Sequence, residues 1–261
     1  MGKLDLRGLV LRRYKISLEA NSPIRVGAAG DPFRGVSNPV VRVGDRLVIP
    51  GSSFKGALRN QLERYFIKEA EARGDDVLKP CLAAARESKF ESELIEKERK
   101  YARSGCKLEE GKRESICPVC YFLGAQSLLG FVRVSFLTGE NLQADVLTGI
   151  AIDRKTGTAR EKAKYEYEII PEGSHFEGFL EIVERDEYLG WEFGKARYFS
   201  IKRKDGGFDT FTPDEWLERF SEFQGYDNLF NILKQCVEAI RLIGGYKSRG
   251  AGDVTVKLVE I

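Results

Sequence analysis

The chain has 261 residues, of which 42% are hydrophobic, enough to bury a sizeable core in one large domain or two small ones. A formal net charge of +2 neither demands nor excludes a nucleic-acid partner, so that question passes to local clusters. No run approaches the roughly 20 apolar residues of a membrane helix, and charge is mixed through the opening MGKLDLRGLVLRRYKISLEA, unlike a signal peptide. A cytoplasmic protein with no membrane partner is expected.

Residues 9–19 alternate, with Val10, Tyr14, Ile16 and Leu18 on one face, the period of a half-buried strand and the expected first strand of the chain. A long loop without periodicity follows, PIRVGAAGDPFRGVSNP, and loops of that length tend to carry sites. After the apolar run 47–49, Pro50 and Gly51 turn the chain and Ser52 or Ser53 is expected to cap a helix that carries Phe54, Leu58, Leu62 and Phe66 inward. Residues 75–123 change character and read as an insertion. They hold four of the five cysteines and a charged helical stretch, RESKFESELIEKERKYAR, with Glu93/Lys97 and Glu96/Lys100 at stabilising spacings. The high charge of the whole chain, 31%, with a single Met, is the bias that accompanies ion-pair networks in hot-growing organisms, and a thermophilic source is expected.

Strand patterns return at 131–137 and 175–183 with a polar hairpin-like stretch between them. Thr212-Pro213 is expected to open a helix. A further helix sets Leu229, Leu233, Cys236, Ile240 and Ile243 on one stripe, and VTVKLVEI closes the chain as a strand. Strands early, central and late with helices between them give an α+β fold.

Cys81, Cys106, Cys117 and Cys120 lie within forty residues of each other, and such a set without secretory features favours a metal over disulfides. Four thiolates suit tetrahedral zinc in a closed, structural site worth on the order of 10 kcal/mol to folding, with no open position to activate water. The wide spacing of Cys81 and Cys106 departs from a standard zinc module, so incidental buried thiols and a Cys117/Cys120 redox pair stand as alternatives. Cys236, on its apolar stripe, is expected in the core.

Three loops could seat a phosphate backbone. In GSSFKGALR, Lys55 precedes Gly56, which breaks the Walker A order. What remains is Ser52 and Ser53 at a helix N-terminus with Lys55 and Arg59 one turn apart, a seat for an anion. In IGGYKSRGAGD, Gly244, Gly245, Gly250 and Gly252 surround Lys247 and Arg249, so backbone and two cations can approach one ligand. In GIAIDRKTGTAREKAKYEYEIIPEGSHFEG, Asp153 to Gly157 forms a hairpin tip with Arg154, Lys155, Arg160, Lys162 and Lys164 nearby and Tyr165 and Tyr167 following. Basic residues interleaved with aromatics suit single-stranded nucleic acid. Taken singly, the three loops also fit, in turn, a capped amphipathic helix with solvated basic residues, a plain flexible turn into the last strand and a solvated charged face.

Taken in order, a first loop ending in Pro-Val-Val, IPGSSFKGALR, the cysteine insertion, IDRKTGTA, YEYEIIPEG and GGYKSRGAGDV resemble the RAMP (repeat-associated mysterious protein) superfamily over essentially the whole chain. The insertion and hairpin resemble the backbone subunits of type III CRISPR antiviral effector complexes. The resemblance implies a single domain over residues 1–261 with a ferredoxin-like, RNA-recognition-motif-like core, a zinc-binding helical insertion at 75–123 and a thumb-like hairpin at 140–172. It implies a filament-like assembly along CRISPR RNA paired with target RNA, together with other RAMP subunits and a large type III signature subunit. It places Lys55 and Arg59 on the guide backbone, Gly245, Arg249 and Gly250 in a loop facing it, residues 152–156 at the thumb tip, and zinc on Cys81, Cys106, Cys117 and Cys120. The sole histidine, His175, lies far from that insertion and is expected on a polar strand face.

One departure bears on activity. Cleaving members of the group carry an aspartate two residues before the proline of the first-loop motif, where this chain has Ser37. A serine is no anionic base near neutral pH. A binding subunit without its own cleavage is therefore expected. The alternative is an endoribonuclease of the superfamily, either cutting target RNA through Asp31, with Mg as its cofactor, or processing CRISPR transcripts.

Overall fold

The computed structural model describes residues 2–28, 38–81, 105–108, 114–140, 142–153, 155–202 and 206–261. Asp31, Ser37, Arg154 and the charged stretch 86–103 lie outside the described residues. The strands are β1 (Gly2–Leu6), β2 (Leu9–Ala20), β3 (Arg42–Val43), β4 (Arg46–Ile49), β5 (Val132–Val134), β6 (Leu137–Gly139), β7 (Asp145–Ile152), β8 (Ala159–Ile169), β9 (His175–Asp186), β10 (Trp191–Glu192), β11 (Phe199–Lys202), β12 (Phe208–Phe211) and β13 (Val254–Glu260). The helices are α1 (Gly51–Arg73), α2 (Pro118–Leu123), α3 (Glu215–Arg219) and α4 (Tyr226–Glu238).

One antiparallel sheet of order β1-β2-β9-β6-β4-β3 organises the chain, with β13 also on β2 and with β5 and β10 on β9. The two long strands β2 and β9 pair from Leu9↔Asp186 to Glu19↔His175. On the other side of β2, β1 covers residues 9–13 and β13 covers 14–20. The alternation read from the sequence decides which face is covered: Tyr14, Ile16, Leu18, Phe176, Leu180, Ile182, Val254, Val256 and Leu258 are all buried. Against them pack Phe54, Leu58, Leu62 and Phe66, spaced four apart along α1, and Leu229, Leu233 and Cys236 of α4. The opposite face presents Lys15, Ser17, His175, Glu177 and Phe179. The mixed α/β architecture with an antiparallel sheet agrees with the α+β expectation.

Several boundaries differ from the sequence reading. The first strand is β1, preceding β2. The strand expected at 131–137 splits into β5 and β6 on either side of Ser135-Phe136, whose backbone and side chain bond the β9 edge. The first helix starts at Gly51 with Pro50 as its N-cap, and neither Ser52 nor Ser53 caps it through a side chain; Ser53 N–H donates to Pro50 O at 2.9 Å. Gly51 is pressed onto β5, where a Cβ would lie 2.3 Å from Val134 O, so the turn is fixed by packing. Thr212-Pro213 does not itself start α3. The preceding residue is Asp214, whose carboxylate is spent in a fully buried pair with Arg197 (2.7 Å to both Nε and Nη2) and leaves the helix N–H groups without a side-chain cap. Ile240 and Ile243 are buried as expected but lie beyond the end of α4.

Candidate nucleic-acid interface and cysteine centre

The β7–β8 hairpin pairs Asp145↔Ile169 through Ile152↔Ala159 and closes on a turn organised by Asp153. Its Oδ1 accepts from Lys155 N at 2.8 Å and its carbonyl from Gly157 N at 2.8 Å, which leaves Lys155 exposed at the tip. The side chains of Arg160, Lys162 and Lys164 lie outside the described residues.

At the other end of the hairpin, chain segments far apart in sequence meet. Ile24 bridges Ile170, Asn38 bridges Tyr167 and Gly27 bridges Val40, so both feet of the first loop are tied to β8. The late glycine-rich loop joins them through Gly245 N–H to Arg25 O at 2.7 Å and Gly252 N–H to Pro23 O at 2.9 Å. Gly244 makes this approach possible: its φ is +83°, and a Cβ there would stand 2.4 Å from Arg25 O.

The result is an aromatic and cationic cluster. Tyr165 and Tyr167 point to one side of β8 with rings 5.8 Å apart and nearly parallel, and Tyr246 meets Tyr167 edge-on at 5.2 Å. Arg249 lies 4.7 Å from the Tyr246 ring centre and 3.5 Å from the Tyr165 hydroxyl. From beneath, the buried Arg25 donates to the carbonyls of Glu168 (3.0 Å) and Asn38 (3.2 Å) while facing the Tyr246 and Tyr167 rings at 5.1 and 5.4 Å. Glu168 accepts from Val40 N and Arg42, completing the floor. Tyr246 sits at φ +58°, ψ 24°, a left-handed conformation that costs a residue of this kind about 1–3 kcal/mol and persists only where the surrounding contacts hold it. The Arg249 charge is favoured by the Tyr165 hydroxyl first and then by the neighbouring phenols. Lys247 and Gly250 are exposed beside it.

The structure thus joins two of the three loops singled out in the sequence. It adds Arg25 and Tyr246, which sequence reasoning missed; the signals were an arginine at the start of a glycine- and proline-rich loop and a tyrosine after two glycines.

The third loop belongs to a different corner. The sulfurs of Cys81, Cys106, Cys117 and Cys120 all lie within 4.8 Å of one another, three of the residues buried. Cys81 and Cys120 Sγ are 3.3 Å apart, Cys117 N–H donates to Cys106 Sγ at 3.2 Å and Cys120 N–H to Cys117 Sγ at 3.4 Å. Cys81 is held far below the ordinary thiol range because Cys106, Cys117 and Cys120 all donate toward it, and burial pushes Cys117 up. A tetrahedral ion about 2.3 Å from four sulfurs spaces them about 3.8 Å apart, so the donor set and its compactness fit a divalent metal such as structural zinc. Cys236, apart from this group, is buried and its thiol is pushed up to about 12 by that burial.

Lys55 and Arg59 of α1 face this corner. Lys55 Nζ donates to Leu123 O, the last residue of α2, at 3.0 Å, and burial followed by the nearby Arg59 charge lowers its pKa. It lines an open cavity of about 410 Å³ with Gly124, Gly130 and Arg133, which leaves its remaining donors available there. Arg59 is turned to Cys120, Cys81 and Glu63. His175 is exposed on the open sheet face, 3.5 Å from Ser17 Oγ and 3.4 Å from Glu177 Oε1, as a polar-face residue.

A family model for the RAMP superfamily matches residues 17–255, and the chain belongs to that superfamily. Comparison with curated proteins gives no match. Members of the family act in CRISPR complexes with RNA and other subunits, which gives this chain a CRISPR-associated role in RNA binding or processing. Among the described residues no helix is long and apolar enough to cross a membrane.

Proposed function

We propose that this protein is a guide-RNA-binding backbone subunit of a type III CRISPR effector complex, built on a ferredoxin-like core as one domain. In this reading residues 75–123 form a zinc-stabilised insertion and 140–172 a thumb. The observation that carries it is the cluster of Tyr165, Tyr167, Tyr246, Lys247 and Arg249 at the hairpin base, where exposed cations that form no ion pair among the described residues stand beside stacked rings. Single-stranded RNA offers the matching chemistry: phosphates for Lys247 and Arg249, unstacked bases for the tyrosines. Gly244, Gly245 and Gly250 let the backbone come close, Lys155 extends the cationic surface to the hairpin tip, and Lys55 reaches phosphate with the donors it does not spend on Leu123; the neighbouring Arg154, outside the described residues, is proposed as a further RNA contact on its place in the sequence alone. Recognition is of backbone and shape, with sequence left to pairing between guide and target RNA.

The subunit holds RNA without cutting it, because Ser37 supplies no anionic base where cleaving relatives have aspartate. Asp31 and Mg enter only in the rival reading of a cleaving subunit. Zinc on the four cysteines would supply structure alone, since four protein ligands leave no open position. The test is to purify the tagged protein from its native host in mild salt and sequence the RNA bound to it. Small RNAs with defined ends carrying repeat and spacer sequence, together with other RAMP subunits and a large signature subunit, are expected. A partner-bound preparation free of such RNA would refute the assignment.

A further inference from the structure

The turn that follows α2 closes on itself and leaves a cavity between it and the start of α1. Ala125 N–H donates to Leu128 O at 2.9 Å and Leu128 N–H to Ala125 O at 3.1 Å. Gly130 brings the two arms of the turn together, since a Cβ there would lie 2.2 Å from Gly124 N. One wall of the cavity, of about 410 Å³, is therefore bare backbone. Its charged lining is Lys55 and Arg133, with no acidic side chain among the described residues that line it.

Lys55 brings to the cavity the donors left over from its 3.0 Å hydrogen bond to Leu123 O. It is half-buried, and desolvation followed by the Arg59 charge works against its own charge, a cost that an anion in the cavity would relieve. Arg133 is exposed on β5 and forms no ion pair among the described residues. Its neighbour across the ladder to β9, Glu181, is held by Arg13, whose Nε lies 2.9 Å from the carboxylate. At the rim stands Leu129, 70% exposed.

We propose that this cavity is a second seat for RNA, taking one phosphodiester between Lys55 and Arg133, and that Arg133 is an RNA-contacting residue. The chemistry matches: a phosphodiester spreads one negative charge over two free oxygens, one for the lysine ammonium and one for the arginine fork. The cavity is open and larger than a phosphate group, so the anion enters as part of a longer chain, with Leu129 against its sugar or base. The seat lies away from the hairpin base. It meets β9 at residues 180–182, on the order of 20 Å along the strand from His175, where β9 begins soon after the hairpin's foot at Ile170. The inference rests on the RNA-binding reading but not on the identity of the RNA.

The experiment measures binding of a synthetic single-stranded RNA to the full-length protein over a series of salt concentrations. Arg133→Gln, at an exposed position, is expected to keep the parental thermal midpoint and to lower the salt slope by about 0.7, one phosphate on a single strand. Arg133→Lys, which keeps the charge, is expected to recover most of that slope. Because Lys55 and Arg133 hold one group, adding Lys55→Met to Arg133→Gln is expected to cost a few-fold less affinity than the product of the two single losses. Adding Arg249→Gln instead, at a distant site, is expected to multiply the losses. Bound RNA is also expected to shield Lys55 from acylation, read by mass spectrometry, in the parent and much less in Arg133→Gln. Parental affinity and slope in Arg133→Gln would overturn the proposal, as would losses that simply multiply for Lys55 and Arg133. Shielding of Lys55 by inorganic phosphate alone, and none by RNA, would overturn it too and give the cavity to a free anion. Co-purified RNA lacking repeat and spacer sequence refutes the guide assignment and leaves the seat standing, whereas guide RNA bound by a protein indifferent to Arg133→Gln refutes only the seat.

Discussion

The cysteine corner and the hairpin base both set lysine and arginine close to glycines, yet the two regions use their cations in opposite ways. In the cysteine corner Lys55 is tied to Leu123 O and Arg59 faces thiols and Glu63, so the charges are largely consumed inside the protein. At the hairpin base Lys247 and Arg249 are exposed, and the groups acting on Arg249 are phenols. Motifs that look alike as strings therefore separate once burial and partners are known, and an unconsumed cation is the better guide to a nucleic-acid surface.

The largest effect belongs to the cysteine corner. Stripping a bound metal with a chelator, or replacing Cys117 by Ser, is expected to remove on the order of 10 kcal/mol from folding of that region and to lower the thermal midpoint by roughly 20 °C or more, read by calorimetry. A midpoint that does not move would break the contrast, because the corner would then be held by packing alone. Next comes Gly244→Ala, which forces both a right-handed preference onto φ +83° and a methyl group onto Arg25 O. It is expected to destabilise by about 2–3 kcal/mol and to weaken RNA binding. Gly250→Ala has open space around its Cβ and should cost only the backbone term, about 1 kcal/mol.

Smaller again, Tyr246→Ala should cost about 1–3 kcal/mol of RNA binding through lost stacking while leaving zinc release unchanged. The finest discrimination comes from salt. Arg249→Gln is expected to lower the salt slope of RNA binding by roughly one, and Lys55→Met by less, since one of its donors is already engaged. The reverse order would move the centre of the interface to α1.

The sequence made some of this visible and hid the rest for physical reasons. The four cysteines and the alternation of β2 and β9 were legible because thiol chemistry and a period of two are local signals. The Asp153 turn at the hairpin tip was legible for the same reason. The meeting of the first loop, β8 and the late glycine loop was not, since it depends on bridges such as Ile24↔Ile170 between residues far apart in the chain. Arg25 and Tyr246 gain their roles only through that meeting. Arg59 shows the converse: its place one turn after Lys55 was readable, but which side group it would face depended on Cys81 and Cys120 arriving from later in the chain. The serine caps failed because Pro50 and the packing of Gly51 on β5 set the helix start.

The most direct test of the central claim is ultraviolet cross-linking of the protein to its co-purified RNA, followed by mass spectrometry of the nucleotide-bearing peptides. Cross-links at Tyr165, Tyr167 or Tyr246 are predicted, lost when Arg249 and Lys247 are both neutralised. Cross-links confined to peptides of α1 and the open sheet face, with none at the hairpin base, would contradict it.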